Sequence, residues 1–209
     1  MTADEIARHF TQPDGSYAFA RWNRPIAPVI FGVEESSLPV LKGAIEAAAT
    51  LAGVGTDETD PEIGANLMIF FLRDWAELMA TPSLGQLVPS LPDLGKRLSE
   101  EGASQYRFFR YGPDGAIRAA FLFQVMDADH VDLPAETLAL THAIQAILTW
   151  SAQAFDGRSP LALHPETGAT ILRPEVADLI RAAYDPVMPD SADDPSHALR
   201  LAARLGGGA

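Results

Sequence analysis

The chain has 209 residues, enough to bury a large core, and its 47% hydrophobic and 21% charged residues are typical of a globular protein. Its formal net charge of −13 argues against a nucleic acid or an anionic membrane surface as a partner. No apolar run reaches the roughly 18 residues of a transmembrane helix, and the lack of cysteine excludes disulfide bonds, a thiol nucleophile and a cysteine zinc site.

The first third of the chain mixes helical and extended patterns. The elements predicted there are, in order, a short helix at 2–10, strands at 17–22 and 26–31, and a helix at about 37–53. The acidic segment that follows, with Asp57, Glu58, Asp60 and Glu62, favours a solvated loop. The almost wholly apolar segment 65–71 is typical of a strand that is covered on both faces.

The middle of the chain contains a clear hairpin signal. The elements predicted there are a proline-interrupted connector at 82–92, a short helix at 94–98 capped by Asp93, and strands at 105–111 and 116–125. Between the two strands stands Gly112-Pro113-Asp114-Gly115, which favours a tight turn. The second strand therefore pairs with the first in an antiparallel hairpin.

The longest helical pattern covers about 133–155. Asp132 is a suitable N-cap, and Pro134 falls in the first turn, where a missing N–H is harmless. Leu140, Ile144 and Ile147 recur on one face, which predicts that they lie in the core. Thr141 and Gln145 form a second row, and this row is predicted to line a cleft or to meet another packed layer.

After this helix the pattern becomes less regular. The segment 158–170 favours a loop, a C-terminal helix is predicted at 174–184, and the tail after Pro189 is polar and frayed from Gly206. Strand and helix, then strands, a hairpin and a long helix predict an α+β fold with a mostly antiparallel sheet. We expect a single domain over 1–209, with its core at about 17–190 and an extension at each end.

Two local patterns invite a functional reading. Residues 127–132 resemble a calcium loop, but Asp132 and Leu138 occupy the places of its glycine and glutamate, so a turn is favoured. His142 is a candidate general base, paired with His164 and a carboxylate such as Asp156 or Glu166. At 100° per residue His142 lies about 160° from Ile144, so the competing prediction is a polar residue on the solvent side.

Five short segments together resemble a bacterial family of unknown function whose members are metzincin-like proteins with a decayed zinc motif. They are Arg21-Trp22-Asn23-Arg24-Pro25-Ile26, Ala65-Asn66-Leu67, Asp114-Gly115-Ala116-Ile117, Ile144-Gln145-Ala146 and Tyr184-Asp185-Pro186. The resemblance covers most of residues 17–190 and implies a zincin-like fold, in which the long helix underlies an active-site cleft. Its members are mostly exported or lipid-anchored, and no activity is established for them.

A metzincin carries His-Glu-x-x-His-x-x-Gly-x-x-His/Asp on this helix, with a glutamate as general base and three zinc ligands. Aligned through Gln145, the ligand positions fall on Thr141, Gln145 and Ser151, and the base position falls on His142. Threonine, glutamine and serine are poor zinc ligands. Leu148 stands at the glycine position and is expected to let the helix continue, whereas many family members keep acidic residues at the positions of Thr141 and His142.

The sequence thus predicts that the protein does not catalyse zinc-dependent hydrolysis, and no metal or other cofactor is expected. The favoured function is binding of a peptide, protein or glycan through a degenerate cleft lined by Thr141, Gln145 and Ser151. One alternative is a hydrolase that uses His142 with Asp156 or Glu166, and another is an acidic interaction module that uses a different surface. The N-terminus lacks signal-peptide features, so a cytoplasmic location is the default, with export implied if a leader was removed.

Overall fold

The protein folds around a central sheet, in a computed structural model that describes residues 1–80 and 91–206. The helices are α1 (Ala3–Phe10), α2 (Leu38–Ala52), α3 (Trp75–Met79), α4 (Leu91–Glu100), α5 (Ala135–Ile147), α6 (Pro174–Ala183) and α7 (His197–Gly206). The strands are β1 (Phe19–Ala20), β2 (Pro28–Phe31), β3 (Leu67–Leu72), β4 (Gln105–Tyr111), β5 (Ile117–Val125), β6 (Leu161–Leu163), β7 (Thr170–Leu172) and β8 (Ser191–Ala192). The predicted helices near 37–53 and 174–184, the buried strand at 65–71 and the hairpin are confirmed.

The main sheet is mixed rather than mostly antiparallel. Its strands lie in the order β2-β3-β5-β4, with β2 and β5 both parallel to β3 and β4 antiparallel to β5. The first parallel pairing exists because α2 carries the chain back across the sheet between β2 and β3. Two further pairs, β1 with β8 and β6 with β7, are short and antiparallel. The α+β class holds, and β4 forms an edge of the sheet.

Each face of the sheet has its own core. Alternate residues of β3, such as Ile69 and Phe71, face α2 and α5, whereas Phe70 faces α3 and α4. The second core is rich in aromatic rings, and the Phe108 and Phe121 rings stack with their centroids 4.5 Å apart. The sheet is therefore covered on both faces, as the apolar run at 65–71 predicts.

Both ends of the chain contribute to the main core. Ile6 and Phe10 of α1 and Leu201 of α7 are fully buried there. The polar tail predicted after Pro189 instead forms β8 and α7, an amphipathic helix in which three of the ten residues, His197, Arg200 and Arg204, are charged or histidine. The connector predicted at 82–92 falls largely outside the described residues, as do 207–209.

Three further boundaries differ from the sequence prediction. The strand predicted at 17–22 is reduced to two residues, and the next strand begins only at Pro28. The loop predicted at 158–170 contains β6 and leads into β7. In α4 the helix already begins at Leu91, ahead of the predicted Asp93 cap. Short segments of this kind are defined by their neighbours more than by local propensity.

The end of α5 is where the structure departs most from the helical pattern. The helix covers 13 residues, Ala135–Ile147, and not the predicted 133–155. Its N-cap position is Pro134 rather than Asp132, and no side chain caps it. Leu148 does not let the helix continue, since its backbone is extended, with φ −142° and ψ 160°. The helix thus ends at the position where a metzincin motif places its glycine.

Side chains from three different segments bind the last carbonyl groups of α5. Trp150 Nε1 donates to the Ile144 carbonyl at 2.7 Å, and Trp22 Nε1 donates to the Ala146 carbonyl at 2.8 Å. The Tyr184 hydroxyl donates to the Ile147 carbonyl at 2.6 Å and accepts a hydrogen bond from the Trp22 N–H. These donors satisfy carbonyl groups that would otherwise require another helical turn. Trp22 and Trp150 are therefore packing residues with a specific hydrogen-bonding role.

The segment after α5 runs alongside β1 instead of continuing the helix. Leu148 forms an antiparallel bridge with Arg21, and the Thr149 hydroxyl accepts the Ala20 N–H at 2.6 Å. The Thr149 N–H donates to the Ala20 carbonyl at 3.2 Å. These bonds replace the intrahelical ones that residues 148–151 would have made, so tertiary pairing overrides their helical periodicity.

Arg21 holds the chain beyond α6 in place. Its Nε forms an ion pair with Asp190 at 2.9 Å, and its two terminal nitrogens donate to the carbonyl groups of Ala183, Asp185 and Met188. The guanidinium also lies over the Tyr184 ring, 5.6 Å from its centroid. A buried cation with this many partners is strongly stabilised, and removing it would leave several carbonyl groups unsatisfied.

The segment 21–26 is connected by hydrogen bonds to each of the other four segments that carry the family resemblance. Besides the Trp22–Ala146 and Arg21–Asp185 bonds, the Ile117 N–H donates to the Arg21 carbonyl at 2.9 Å. Asn66 donates to the Pro25 carbonyl at 2.9 Å. Segments that are scattered along the sequence therefore form one connected unit in the structure.

We expect Tyr184→Phe to lower the free energy of unfolding by about 1–3 kcal/mol, because the Ile147 carbonyl and the Trp22 N–H both lose a buried partner. Burial raises the pKa of Tyr184, so its hydroxyl keeps the proton that it donates. Urea unfolding followed by tryptophan fluorescence measures the change. The matched control is Tyr111→Phe, at an exposed ring, which should shift stability by less than about 0.5 kcal/mol. Equal effects of the two substitutions would contradict the assigned role of Tyr184.

Candidate functional site

A groove of about 550 Å³ runs along the outer edge of β4. One wall is formed by consecutive residues of that strand, from Gln105 to Phe109, and the other by Gln145 and the segment after α5. The position of the second wall depends on the early end of α5, because the chain leaves the helix at the extended Leu148, before Thr149, Trp150 and Ala152, which line the groove. The fold thus places a free strand edge opposite a helix end.

The backbone of β4 presents hydrogen-bonding groups to this groove. The Val125 N–H donates to the Ser104 carbonyl, so even-numbered residues of β4 exchange bonds with β5. In an antiparallel pair the intervening residues point their N–H and C=O groups away from the partner strand. These are Gln105, Arg107 and Phe109, and no hydrogen bond reaches their backbone groups from within residues 1–80 and 91–206. The groove is therefore bordered by an unpaired strand edge.

Arg107 is the only charged side chain among the described residues that line the groove. Its Nη2 donates to the Trp150 carbonyl at 2.7 Å and to the Ser151 carbonyl at 2.9 Å. Nothing in the described chain forms an ion pair with it, in contrast to Arg21 with Asp190. Burial lowers the pKa of Arg107 to about 10. A half-buried cation that has no carboxylate partner among the described residues is typical of binding sites.

Two glutamine side chains that line the groove, Gln105 and Gln145, are joined by hydrogen bonds to the buried Gln124. Gln145 Nε2 donates to Gln105 Oε1 at 2.9 Å, and Gln105 Nε2 donates to Gln124 Oε1 at 2.5 Å. Gln124 is fully buried and donates in turn to the Ser104 and Val125 carbonyl groups. This chain of amides connects α5 to β4 and fixes the direction in which Gln145 faces the groove.

At one end the groove continues into a second cavity of about 380 Å³. The two cavities share Ala18, Tyr111 and Thr149. The second one is bordered by Ser191 and Asp193, so the polarity along the groove changes from cationic at Arg107 to anionic at Asp193. Together the cavities extend past the end of β4 towards β8.

The three residues at the metzincin ligand positions do not form a cluster. Gln145 lines the groove, while the Thr141 hydroxyl donates to the Thr137 carbonyl one turn earlier, at 2.8 Å. Ser151 is buried, and its backbone N–H donates to the His9 carbonyl at 2.7 Å. Within residues 1–80 and 91–206 no group of three or more histidine, aspartate or glutamate side chains is placed to hold a metal ion.

His142 lies in the main core, and the prediction that it faces solvent is wrong. It is 1% exposed and meets the Phe71 ring edge-on, with centroids 5.0 Å apart. Neither ring nitrogen has a hydrogen-bond partner among the described residues. Burial, with a smaller contribution from the charge of His130, lowers the pKa of His142 to about 4. The helix is buried nearly all round, so that Ile144 and Ile147 lie in the core as predicted and Leu140 is only partly covered.

The other candidate catalytic residues lie in different parts of the molecule. His164 and Glu166 belong to the turn between β6 and β7, where His164 Nδ1 accepts the Glu166 N–H at 3.3 Å. Asp156 lines a separate cavity of about 460 Å³ beside α1, together with Arg158, which forms an ion pair with Glu175. No hydrogen bond between described residues joins His142 to any of these three.

The two acidic loops have structural explanations. Asp127 Oδ1 accepts the N–H groups of Asp129 and His130 and is 2.6 Å from His130 Nδ1, which describes the predicted turn rather than a calcium site. The His130 bond is the main cause that lowers the pKa of Asp127. In the other loop Asp60 is buried rather than solvated, and it accepts hydrogen bonds from the Glu62 N–H and from Asn66 Nδ2.

Comparisons with protein families, with curated proteins and with solved structures give no match for this chain. None of its described helices combines the length and the apolar character needed to cross a membrane.

Sequence reasoning included Gln145 but missed the residues that define the groove. Arg107 is one of two arginines in β4. Its place at a free edge follows from the order of the strands in the sheet, which the sequence does not show. The only local signal was the alternation in β4, which places Gln105, Arg107 and Phe109 on one face and Tyr106 and Phe108 on the other. Which of these faces meets α5 is decided by the way the helix packs.

The buried position of His142 predicts a pH dependence of stability. Its pKa of about 4 in the folded protein lies below about 6.5 in the unfolded chain, so the unfolded chain binds the extra proton as the pH falls from about 6.5 towards 4. We expect the wild-type protein to lose about 2–3 kcal/mol more stability between pH 7.5 and 4.5 than His142→Leu. Urea unfolding at the two pH values measures this difference.

Phe71→Leu is the matched control, because it alters the same contact without removing a titrating group. It should lower stability by a similar amount at both pH values. An unchanged pH dependence in His142→Leu would show that the pKa of His142 is the same in the folded and the unfolded chain, against the lowered value that burial gives it.

Proposed function

We propose that this protein is a non-catalytic, metzincin-like domain that binds an extended peptide along the free edge of β4. The observation that carries the proposal is the row of outward-facing backbone groups at Gln105, Arg107 and Phe109, which no described residue pairs with and which borders the groove. An extended peptide supplies the complementary N–H and C=O groups at the same spacing. A glycan has no such repeating pattern, so a peptide or an extended segment of a protein suits the edge better.

The size of the groove suits a short segment. The seven residues of β4 span about 24 Å at roughly 3.4 Å per residue, which matches a peptide of about six residues. Edge strands of natural proteins are usually covered or interrupted, because an open edge invites pairing with other chains. Here the edge lies in a groove walled by Trp150 and Ala152, which admits one strand and restricts the approach of a whole sheet.

The metzincin-like part of the proposal is supported by the order of the elements. A parallel β2-α2-β3 unit is followed by an antiparallel edge hairpin and then by a helix that ends beside the groove. That helix ends at Leu148, the glycine position of the motif, and Gln145 occupies the second ligand position in the groove. A glutamine amide is a poor zinc ligand but a good hydrogen-bond partner for a peptide.

The two alternative functions have weaker support. A hydrolase that uses His142 would require this side chain to meet a carboxylate in a cleft, but it lies in the core against Phe71. For an acidic interaction module, the negative net charge is the only argument, and no described surface is singled out by it.

The proposal is tested by affinity selection from a pool of N-acetylated random hexapeptides, with retained peptides counted by mass spectrometry. We expect the wild-type protein to retain peptides and Ala152→Trp to retain at least about tenfold fewer, because a large side chain at this exposed position fills the groove. The matched control is Ala47→Trp on the exposed face of α2, which should behave as the wild type. Equal retention by both variants would place binding elsewhere.

N-methylation of a retained peptide tests the mode of binding. In strand addition only every second N–H of the peptide faces β4, so methylation should weaken binding at alternate positions and be tolerated between them. Uniform tolerance would exclude strand addition. Stoichiometric zinc in the purified protein, together with peptide cleavage that a chelator abolishes, would contradict the non-catalytic assignment.

A further inference from the structure

Arg107 presents unused hydrogen-bond donors to the groove. Its guanidinium carries five N–H donors, and both of its bonds to the Trp150 and Ser151 carbonyl groups come from one nitrogen, Nη2. Nε and Nη1 have no partner among the described residues, and neither is enclosed in the protein. A neutral amide group would be enough to donate to these two carbonyl groups. The fold therefore does not use the remaining N–H donors or the positive charge of Arg107.

The surroundings of Arg107 leave its charge uncompensated. Among the described residues that line this part of the groove there is no aspartate or glutamate, although the chain as a whole has a net charge of −13. Arg21, which is buried, has Asp190 at 2.9 Å and uses all three nitrogens. Arg107 is half-buried, and within residues 1–80 and 91–206 no carboxylate pairs with it, so a bound molecule can supply that partner.

The position of Arg107 relates this charge to a bound strand. Its backbone groups point outward at the centre of the free edge, between those of Gln105 and Phe109, while its side chain crosses the groove floor towards Ser151. A peptide paired with β4 would therefore pass directly over the guanidinium. Guanidinium and carboxylate groups match in geometry and form bonds about twice as strong as neutral ones.

We propose that the peptide recognised by this groove presents a carboxylate to Arg107, so that the ligand class is an acidic or C-terminal peptide segment. This inference rests on the proposed function of the groove. The carboxylate is either the C-terminus of the ligand or the side chain of an aspartate or glutamate, since the two share the same chemistry. Gln145, on the opposite wall from β4, is placed to bind a neighbouring amide of the ligand.

The test uses four pools of N-acetylated random hexapeptides on the full-length protein. Two pools end in a free acid and two in an amide, and in one pool of each kind asparagine and glutamine replace aspartate and glutamate. We expect the wild-type protein to retain at least one kind of carboxylate-containing pool at least about tenfold better than the pool that has no carboxylate. Preference for the acid-terminated pool without aspartate or glutamate identifies a C-terminus, and preference for the amidated pool with them identifies a side chain.

Substitutions assign the preference to Arg107. In Arg107→Gln the amide still reaches a carbonyl group, and the preference for carboxylate-containing pools should disappear while binding of the neutral pool remains. Arg107→Lys keeps the charge and should retain part of the preference. The matched control is Arg110→Gln on the same strand, whose guanidinium lies over Phe121 on the opposite face, 5.4 Å from the ring centroid. It removes the same net charge and should keep the wild-type preference.

Each other outcome has a defined meaning. If the wild-type protein retains all four pools equally and Ala152→Trp retains none, the groove binds peptides but the inference about the carboxylate is wrong. If Arg110→Gln loses the carboxylate preference as readily as Arg107→Gln does, the preference comes from long-range electrostatics, and direct binding of the carboxylate by Arg107 is contradicted. If no pool is retained by the wild-type protein, the proposed function and the inference are both overturned.

Discussion

The early end of α5 is the constraint on which the rest of the structure depends. Its last carbonyl groups are bound by Trp150, just after the helix, and by Trp22 and Tyr184, which come from distant parts of the chain. Because these donors take the place of the next helical turn, residues 148–152 are free to pair with β1 and to form one wall of the groove. Without this termination a helix continuing to Phe155 would occupy the space beside β4. The capping of one helix therefore positions both the core and the candidate site.

A single segment, 21–26, coordinates this arrangement. Arg21 binds the chain beyond α6, Trp22 binds the end of α5, and Pro25 receives Asn66 from the start of β3. The five segments that resemble the metzincin-like family are thus joined directly by hydrogen bonds rather than spread over independent parts of the fold. In physical terms they form the framework that holds the sheet, α5 and α6 together. What is distinctive about the groove lies outside them, in β4 and in residues 149–152.

Arg21 and Arg107 show how the same residue type serves structure and binding differently. Arg21 has an ion-pair partner and uses each of its nitrogens within the protein, so it stabilises the fold. Among the described residues Arg107 has no carboxylate partner and its Nε and Nη1 have no hydrogen bond, so these donors are available to a ligand. His142 is a third case, since an unpartnered imidazole in an apolar site stays neutral and contributes packing against Phe71. Burial alone therefore does not identify a functional group. What distinguishes it is whether its charge and its hydrogen-bond donors are already paired within the protein.

The sequence by itself determined the elements whose signal is local. The apolar periodicity of α2 and α6, the continuous apolar run of β3 and the Gly-Pro-Asp-Gly turn between β4 and β5 specify those elements without reference to neighbours. The sequence also selected Gln145 from the helical row that reaches the groove. Only the tertiary structure decided the sheet order, the end of α5 at Ile147, the burial of His142 and the open edge that exposes Arg107 to the groove. Each of these depends on contacts between residues more than 20 positions apart, and periodicity along the chain carries no information about such partners.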